Sequence, residues 1–223
     1  MADTTAPQKG ERGGRKIGRP TGSYSARKQI LRGAQEAFGQ KPYAETSVED
    51  LCQAADVSRR TFYRFFRSKD DVFEAIFDMA TTALVETVRS AVETATSPME
   101  KLEAGVDAYL RAQAAAGPLA RVLTLEPRNP GSSLAGRYDA VVAAFADIFR
   151  AEVEKSGQAN IDPLLFGGLL AAMENVSIEL LRKAPIGEAE LSRGKLVMLR
   201  ILSTALADEG DAVHPLPLAP GAA

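Results

Sequence analysis

The stretch TSVEDLCQAADVSRRTFYRFFRSK, residues Thr46 to Lys69, is the key to the architecture. Thr46 with Glu49 has the spacing of a capping box, and Ser47 with Asp50 repeats it one residue on. In such a box a hydroxyl accepts from the N3 amide while the N3 acidic side chain returns the bond. Val48, Leu51, Cys52 and Ala55 then share one helical face, which predicts a short helix over 47–55. Ser58 stands before Arg59 as the N-cap of a second short helix, over 59–66. Val57 and Phe62 occupy the N′ and N4 positions of a hydrophobic staple, which sets the angle at which the chain enters that helix. Asp56 fills the turn between the two helices, where a left-handed residue is often needed and Asp can supply one. Ser68, Asp70 and Asp71 cap the next helix in the same manner.

Two short helices joined by a tight turn, the second of them cationic, make a helix-turn-helix. On the helix over 59–66, Phe62, Phe65 and Phe66 supply the packing, which leaves Arg59, Arg60, Thr61, Tyr63 and Arg64 for the outside. A helix N-terminus with two adjacent guanidinium groups suits the major groove, where Arg pairs bidentately with guanine O6 and N7. The hydroxyls of Thr61 and Tyr63 can bond phosphate and fix register.

Outward from this centre the pattern stays helical. Ile30, Leu31, Ala34, Ala37 and Phe38 predict a helix over 25–38, which Gly39 and Pro42 end. From Lys69 a long helix carries Val72, Phe73, Ile76, Phe77, Ala80, Leu84 and Val88 as its apolar stripe. Beyond Pro98, Met99, Leu102, Val106, Tyr109 and Gln113 line one face of a helix. Leu134, Tyr138, Val141, Val142, Phe145, Ile148 and Phe149 line another. The stretch from Pro163 to Lys183 is apolar nearly all round and Leu191 to Leu206 is broadly apolar. Helices without a polar side are buried on both sides, by their own body and often by a partner subunit. No alternation of period two occurs, so the fold class is all-α. Residues 1–23 and 209–223 lack the apolar content to pack and are expected to be disordered.

Together these segments resemble the TetR (tetracycline-repressor-like) family of transcriptional regulators. The resemblance rests on Ile30-Leu31, Ala34 and Ala37-Phe38, then on Thr46 to Leu51, Ala54 to Phe66 and Ser68-Lys69. Two positions depart from the family pattern: Asp56 stands where Gly is usual, and Arg60 where a small residue or Pro is usual. The resemblance implies a three-helix DNA-binding domain over 24–70 and a helical effector-binding and dimerisation domain over 71–208. It implies that Thr46 and Lys69 meet phosphates from helix N-termini, with Tyr63 and Thr61 beside them, while Arg59 and Arg60 read bases. Ser47, Ser58 and Arg64 complete the candidate set on this domain. Upstream, within Arg15-Lys16-Ile17-Gly18-Arg19-Pro20, the three residues Gly18-Arg19-Pro20 resemble the core of an AT-hook, which makes Arg15, Lys16 and Arg19 candidates for a narrow A·T-rich minor groove.

The charge distribution agrees. Of 223 residues, 27 are Lys or Arg and 29 are Asp or Glu, a net charge of −2. Residues 1–72 hold 14 basic and 9 acidic residues, and residues 73–223 hold 13 and 20. A basic head sits on an acidic body, which suggests an anionic partner for the head, nucleic acid ahead of membrane. The single Cys, Cys52, excludes a disulfide framework and a Cys-rich zinc site. The single His, His214, lies in a Pro-rich tail and leaves no Ser-His-Asp triad and no His-based metal cluster. No catalytic residue, metal or cofactor is therefore assigned. The longest apolar run, Leu164 to Met173, is shorter than the ~18 residues of a spanning helix, and the polar N-terminus has no signal-peptide h-region. A cytoplasmic protein without a membrane partner is expected.

For the body, the resemblance implies a homodimer formed through 163–184 and 189–207, a near-palindromic double-stranded DNA operator and a small-molecule effector. The effector pocket is expected between 99–116, 134–156 and 163–184, with Tyr109, Gln113, Tyr138, Phe145, Phe166, Met173 and Asn175 as candidates. Their apolar bulk with a few polar groups points to a hydrophobic or aromatic molecule. The break at Gly117-Pro118 and the loop from Pro127 to Ser133 would let the short helix between them move. Repression is the family default. The rival readings are a ligand-independent architectural DNA binder and an enzyme using the cavity, which would need nucleophile–base geometry that the sequence does not supply.

Overall fold

Helix α1 (Ser23–Gln40) buries one stripe, Ile30, Leu31, Ala34, Ala37 and Phe38, in the centre of the N-terminal head. It runs through Gly39, and the Lys41 amide still donates to the Ala37 carbonyl; Pro42, with no N–H to give, is what stops it. The computed structural model describes residues 23–156, 162–182 and 186–206. After α1 come a 3-10 turn at Tyr43–Glu45, α2 (Val48–Ala54), α3 (Arg59–Phe65), α4 (Lys69–Thr94), α5 (Pro98–Ala116) and α6 (Pro118–Leu125). A second 3-10 turn at Glu126–Arg128 leads to α7 (Ala135–Ser156), α8 (Pro163–Leu181) and α9 (Glu188–Leu206), and no strand occurs among the described residues.

Of the two overlapping capping boxes before α2, the second forms. The Ser47 hydroxyl accepts from the Asp50 amide at 3.2 Å, and the Asp50 carboxylate accepts from the Ser47 amide at 2.8 Å. Thr46 is instead buried, its hydroxyl donating to the Pro42 carbonyl at 3.0 Å to close the 3-10 turn. Asp56 takes the left-handed conformation (φ +49°) that the turn between α2 and α3 needs. Ser58 caps α3 by accepting from the Thr61 amide, and Ser68 caps α4 by accepting from the Asp71 amide, both at 3.1 Å. The crossing of α1 and α2 is close enough to require glycine at Gly33: a Cβ there would lie 2.4 Å from the Ala55 backbone nitrogen.

Two apolar cores result, and α4 runs through both. The first holds the α1 stripe with Leu51, Cys52, Phe62, Phe66, Val72, Phe73, Ile76 and Phe77, and it also takes in Leu123 of α6 and Leu134. The second holds Val85, Val88 and Val92 of α4 with Val106, Tyr109, Phe145, Phe166, Met173, Met198 and Leu202. Packing therefore continues across residue 70, and α6 belongs to the head's core as much as to the body. Gly117 (φ +58°) breaks α5 from α6. Met99, in the first turn of α5, is exposed, because packing against α4 begins only at Leu102.

Helix α8 buries Phe166, Leu169, Leu170, Met173, Ser177 and Leu181 and turns the opposite face outward. There Leu164 is 85% exposed, with Leu165, Gly168, Ala171 and Asn175 along the same side. On α9, Leu196 (70% exposed) and Val197 face out in the same way. By length and composition α8 could cross a membrane, although 33% of it is already buried within the protomer. The uninterrupted run ending at Met173 understates its length, because the helix carries its apolar character past Glu174 to Leu181.

Candidate nucleic-acid interface and ligand cavity

Helix α3 is held from behind by Phe62, fully buried, and Phe66, with Phe65 partly buried beside them. That phase sends Arg59, Arg60, Tyr63 and Arg64 to solvent, with Thr61 half-buried at the base of the helix. Arg59 donates to the Glu49 carboxylate at 3.1 Å, and its guanidinium stands 6.0 Å from the Tyr63 ring centre. Both ends of that pair are exposed, so solvent screening leaves the contact weak. Arg64 lies over the Phe65 ring at 4.7 Å, and Arg60 has no hydrogen-bond or ion-pair partner among the described residues. The Ser58 and Thr61 hydroxyls meet at 2.9 Å within the cap of α3.

At the N-terminus of α4, the Lys69 ammonium donates to the Tyr43 carbonyl at 2.7 Å and lies 4.2 Å from the Tyr43 ring centre. The Tyr43 hydroxyl donates to the Asp70 carboxylate; burial, with that bond, pushes its pKa well above the usual tyrosine range. These contacts lock α4 to the turn before α2. Asp50 also receives the Lys41 ammonium at 2.5 Å, and with Ser47 this holds its carboxyl well below the ordinary range. The three N-terminal residues at helix-turn-helix height thus differ: Ser47 is exposed at its cap, Lys69 is half-buried, and Thr46 is inside. Arg15, Lys16 and Arg19 lie outside the described residues.

A cavity of about 230 Å³ lies in the body, bounded by α4, α5, α6, α7 and α8. Its walls are mostly apolar: Phe77, Ala80 and Leu84 of α4, Ala112 and Ala116 of α5, Leu123 of α6, Val141 of α7 and Leu170 of α8. Tyr109, Gln113, Tyr138 and Phe145, expected from their helical stripes, all reach it. The Gln113 amide nitrogen donates to the Tyr109 hydroxyl at 3.1 Å, and burial raises the pKa of that phenol. Phe166 packs against Phe149 at 5.5 Å in the second core, Met173 is buried nearby, and neither lines the cavity. Asn175 is on the exposed face of α8.

The phase of α8 explains these positions: Leu170 and Glu174, four residues apart, share the cavity side. Glu174 and Thr124 line the cavity without standing among the expected residues, and neither does Arg128, the partner of Glu174. The signal for Glu174 is a lone carboxylate ending the apolar run Leu164–Met173. The Tyr138 hydroxyl donates to Glu174 at 2.7 Å; Arg128 donates to the same carboxylate and, at 3.0 Å, to the Tyr138 oxygen.

Comparison with known proteins accords with this arrangement. Residues 30–76, which span α1 to the first turns of α4, match the family model described as bacterial regulatory proteins, tetR family. The HTH-type transcriptional regulator EthR of Mycolicibacterium smegmatis is 31% identical over 169 residues, covering 73% of this chain and 76% of EthR. Among solved structures, the fatty acid degradation regulator FadR of Bacillus halodurans superposes with a TM-score of 0.67 at 23% identity, over 81% of this chain and 97% of its own. FadR of Bacillus subtilis, solved in complex with stearoyl-CoA, superposes with a TM-score of 0.68 at 19% identity, over 80% and 98%. With a relative this similar over three-quarters of its length and the family model matched from α1 to α4, the chain belongs to the TetR family of transcriptional regulators.

Proposed function

We propose that the protein is a homodimeric repressor that binds a near-palindromic operator and is released from it by a small hydrophobic effector. The observation that carries the DNA-reading half is α3 itself: four exposed side chains, Arg59, Arg60, Tyr63 and Arg64, on a helix whose opposite face is locked by buried Phe62. Arg60, free of intramolecular partners among the described residues, is assigned to a base edge. Arg59 and Arg64 exchange weak surface contacts for DNA, and Tyr63 and Thr61 set register on phosphates. Ser47 and Lys69 stand at the N-termini of α2 and α4, where backbone amides favour a phosphate. Thr46 contributes by shaping the turn before α2. The arm with Arg15, Lys16 and Arg19 is assigned to the adjacent minor groove.

The exposed apolar faces of α8 and α9 are assigned to a second copy of the chain rather than to lipid, which pairs two α3 helices about one DNA turn apart. The cavity is assigned to the effector, since a mostly apolar recess with a few convergent polar groups suits binding. Leu123 lines this cavity and also belongs to the head's core, so an effector that prefers a shifted α6 lowers DNA affinity by its differential affinity for the two states.

Selection of bound sequences from random DNA tests the reading. A two-fold symmetric consensus is expected, and Arg60→Ala should cost about 1–3 kcal/mol and relax one position in each half-site. An asymmetric or featureless consensus, or an unchanged profile for the variant, refutes it.

A further inference from the structure

The cavity carries one charged lining residue, Glu174, and the group that neutralises it does not line the cavity. Arg128 comes from the 3-10 turn after α6, 46 residues away in sequence, and its guanidinium sits both on the Glu174 carboxylate and 5.4 Å from the Tyr138 ring centre. A cation held by a carboxylate and an aromatic face is already the recognition motif of an organic cation, filled here from within the chain.

The two partners are not equally able to part. The Glu174 side chain is 11% exposed in the middle of a packed helix, whereas the Arg128 side chain is 31% exposed on a turn. An anionic ligand would have to pair with Arg128 and strand a buried carboxylate, the costly way to break such a pair. A cationic ligand lets Arg128 go to water and keeps Glu174 compensated. A neutral ligand can hydrogen-bond to either group but brings no charge to compensate Glu174 if Arg128 leaves. We propose that the effector is a hydrophobic monocation, an apolar or aromatic body bearing an ammonium or amidinium group, which takes the place of the Arg128 guanidinium at Glu174.

This inference rests on the reading of the cavity as the effector site. At about 230 Å³ the cavity is larger than the ~150 Å³ that accommodates benzene, so a ring with a short aliphatic chain fits. Its head would meet Glu174 and Tyr138, and its body Phe77, Leu84 and Phe145. Displacement also frees the turn that follows α6 from α8, at the end of the helix that reaches the head's core.

Isothermal titration of the full chain with phenylbutylamine, phenylbutanol and phenylbutyrate, which share a skeleton, tests the class. The amine is expected to bind at least about tenfold more tightly than the alcohol, with the acid weakest. Glu174→Gln should erase that preference. Arg128→Gln, which removes the competing cation, should tighten the amine and leave the alcohol unchanged; responses of opposite sign cannot come from general damage to the fold. Preference for the acid, or an amine preference that survives Glu174→Gln, overturns the proposal, as does binding of none of the three. Release of the selected DNA, followed in parallel by fluorescence anisotropy, separates the two readings. Release by alcohol or acid sinks only the cationic class, and DNA affinity indifferent to every compound sinks effector gating as well.

Discussion

At the scale of single residues, Gly33 and Asp56 show how backbone geometry rather than side-chain chemistry positions α2 and α3. An exposed Gly→Ala change within a helix ordinarily stabilises by up to about 1 kcal/mol. At Gly33 the sign reverses, because the new methyl would meet the backbone of Ala54 and Ala55, which cannot swing aside as a flexible side chain could. Gly33→Ala is expected to cost at least about 1–3 kcal/mol, read as a lower thermal midpoint together with weaker DNA binding. An unchanged midpoint would mean that α1 and α2 do not cross as closely as described. Asp56 bears its left-handed φ without glycine's freedom, and it does so at the one turn whose angle sets where Arg59 and Arg60 point.

At the scale of elements, α6 is the member that joins the two cores. It is short, it starts at a glycine break, and its Leu123 touches both the head's apolar core and the cavity. Leu123→Ala should therefore do two separable things. Stability should fall by about 2–5 kcal/mol, as for other buried leucines. The effect of an effector on DNA affinity, typically about 1–3 kcal/mol of coupling, should shrink by more than the change in effector affinity that loss of a cavity-wall side chain brings. Titration of effector in the presence and absence of DNA measures both affinities, and full coupling in the variant would remove α6 from the path. The local rules of α2 and α3 are legible in the amino-acid order, because caps, staple and turn are decided within a few residues. The choice between the two overlapping capping boxes is not, since it turns on Thr46 closing the preceding 3-10 turn against Pro42.

At the scale of the whole molecule, the outward faces of α8 and α9 are what the described residues leave uncovered, and the basic N-terminal sequence lies outside them. Exposed leucines on a helix otherwise apolar enough for a bilayer are costly in water, which favours a covered face. A Leu164→Glu, Leu196→Glu double variant should sediment as a monomer and lose binding to a full palindrome far more than to a half-site. A dimeric mass for that variant would place the interface elsewhere. Deleting residues 1–20 should weaken DNA binding and flatten its salt dependence by about 0.9 in log–log slope per lost phosphate contact. Equal affinity and slope would deny the arm a role.

The head could be read from the order of its amino acids alone: an all-α chain, a helix-turn-helix with its cations outward, and family membership signalled from Ile30 to Lys69. Those features depend on interactions between near neighbours, where spacing is geometry. Of the seven cavity candidates, Tyr109, Gln113, Tyr138 and Phe145 reach the cavity from the inward stripes of their helices, and Phe166, Met173 and Asn175 do not. Which buried residues face empty space and which face other side chains was settled by the packing of the helices. Phe166 and Met173 are as apolar as Leu170, yet the rotation of α8 gives the cavity to Leu170 and Glu174. The pairing of Glu174 with Arg128 likewise joins segments 46 residues apart. A contact of that kind is set by several helices at once, and no local pattern encodes it.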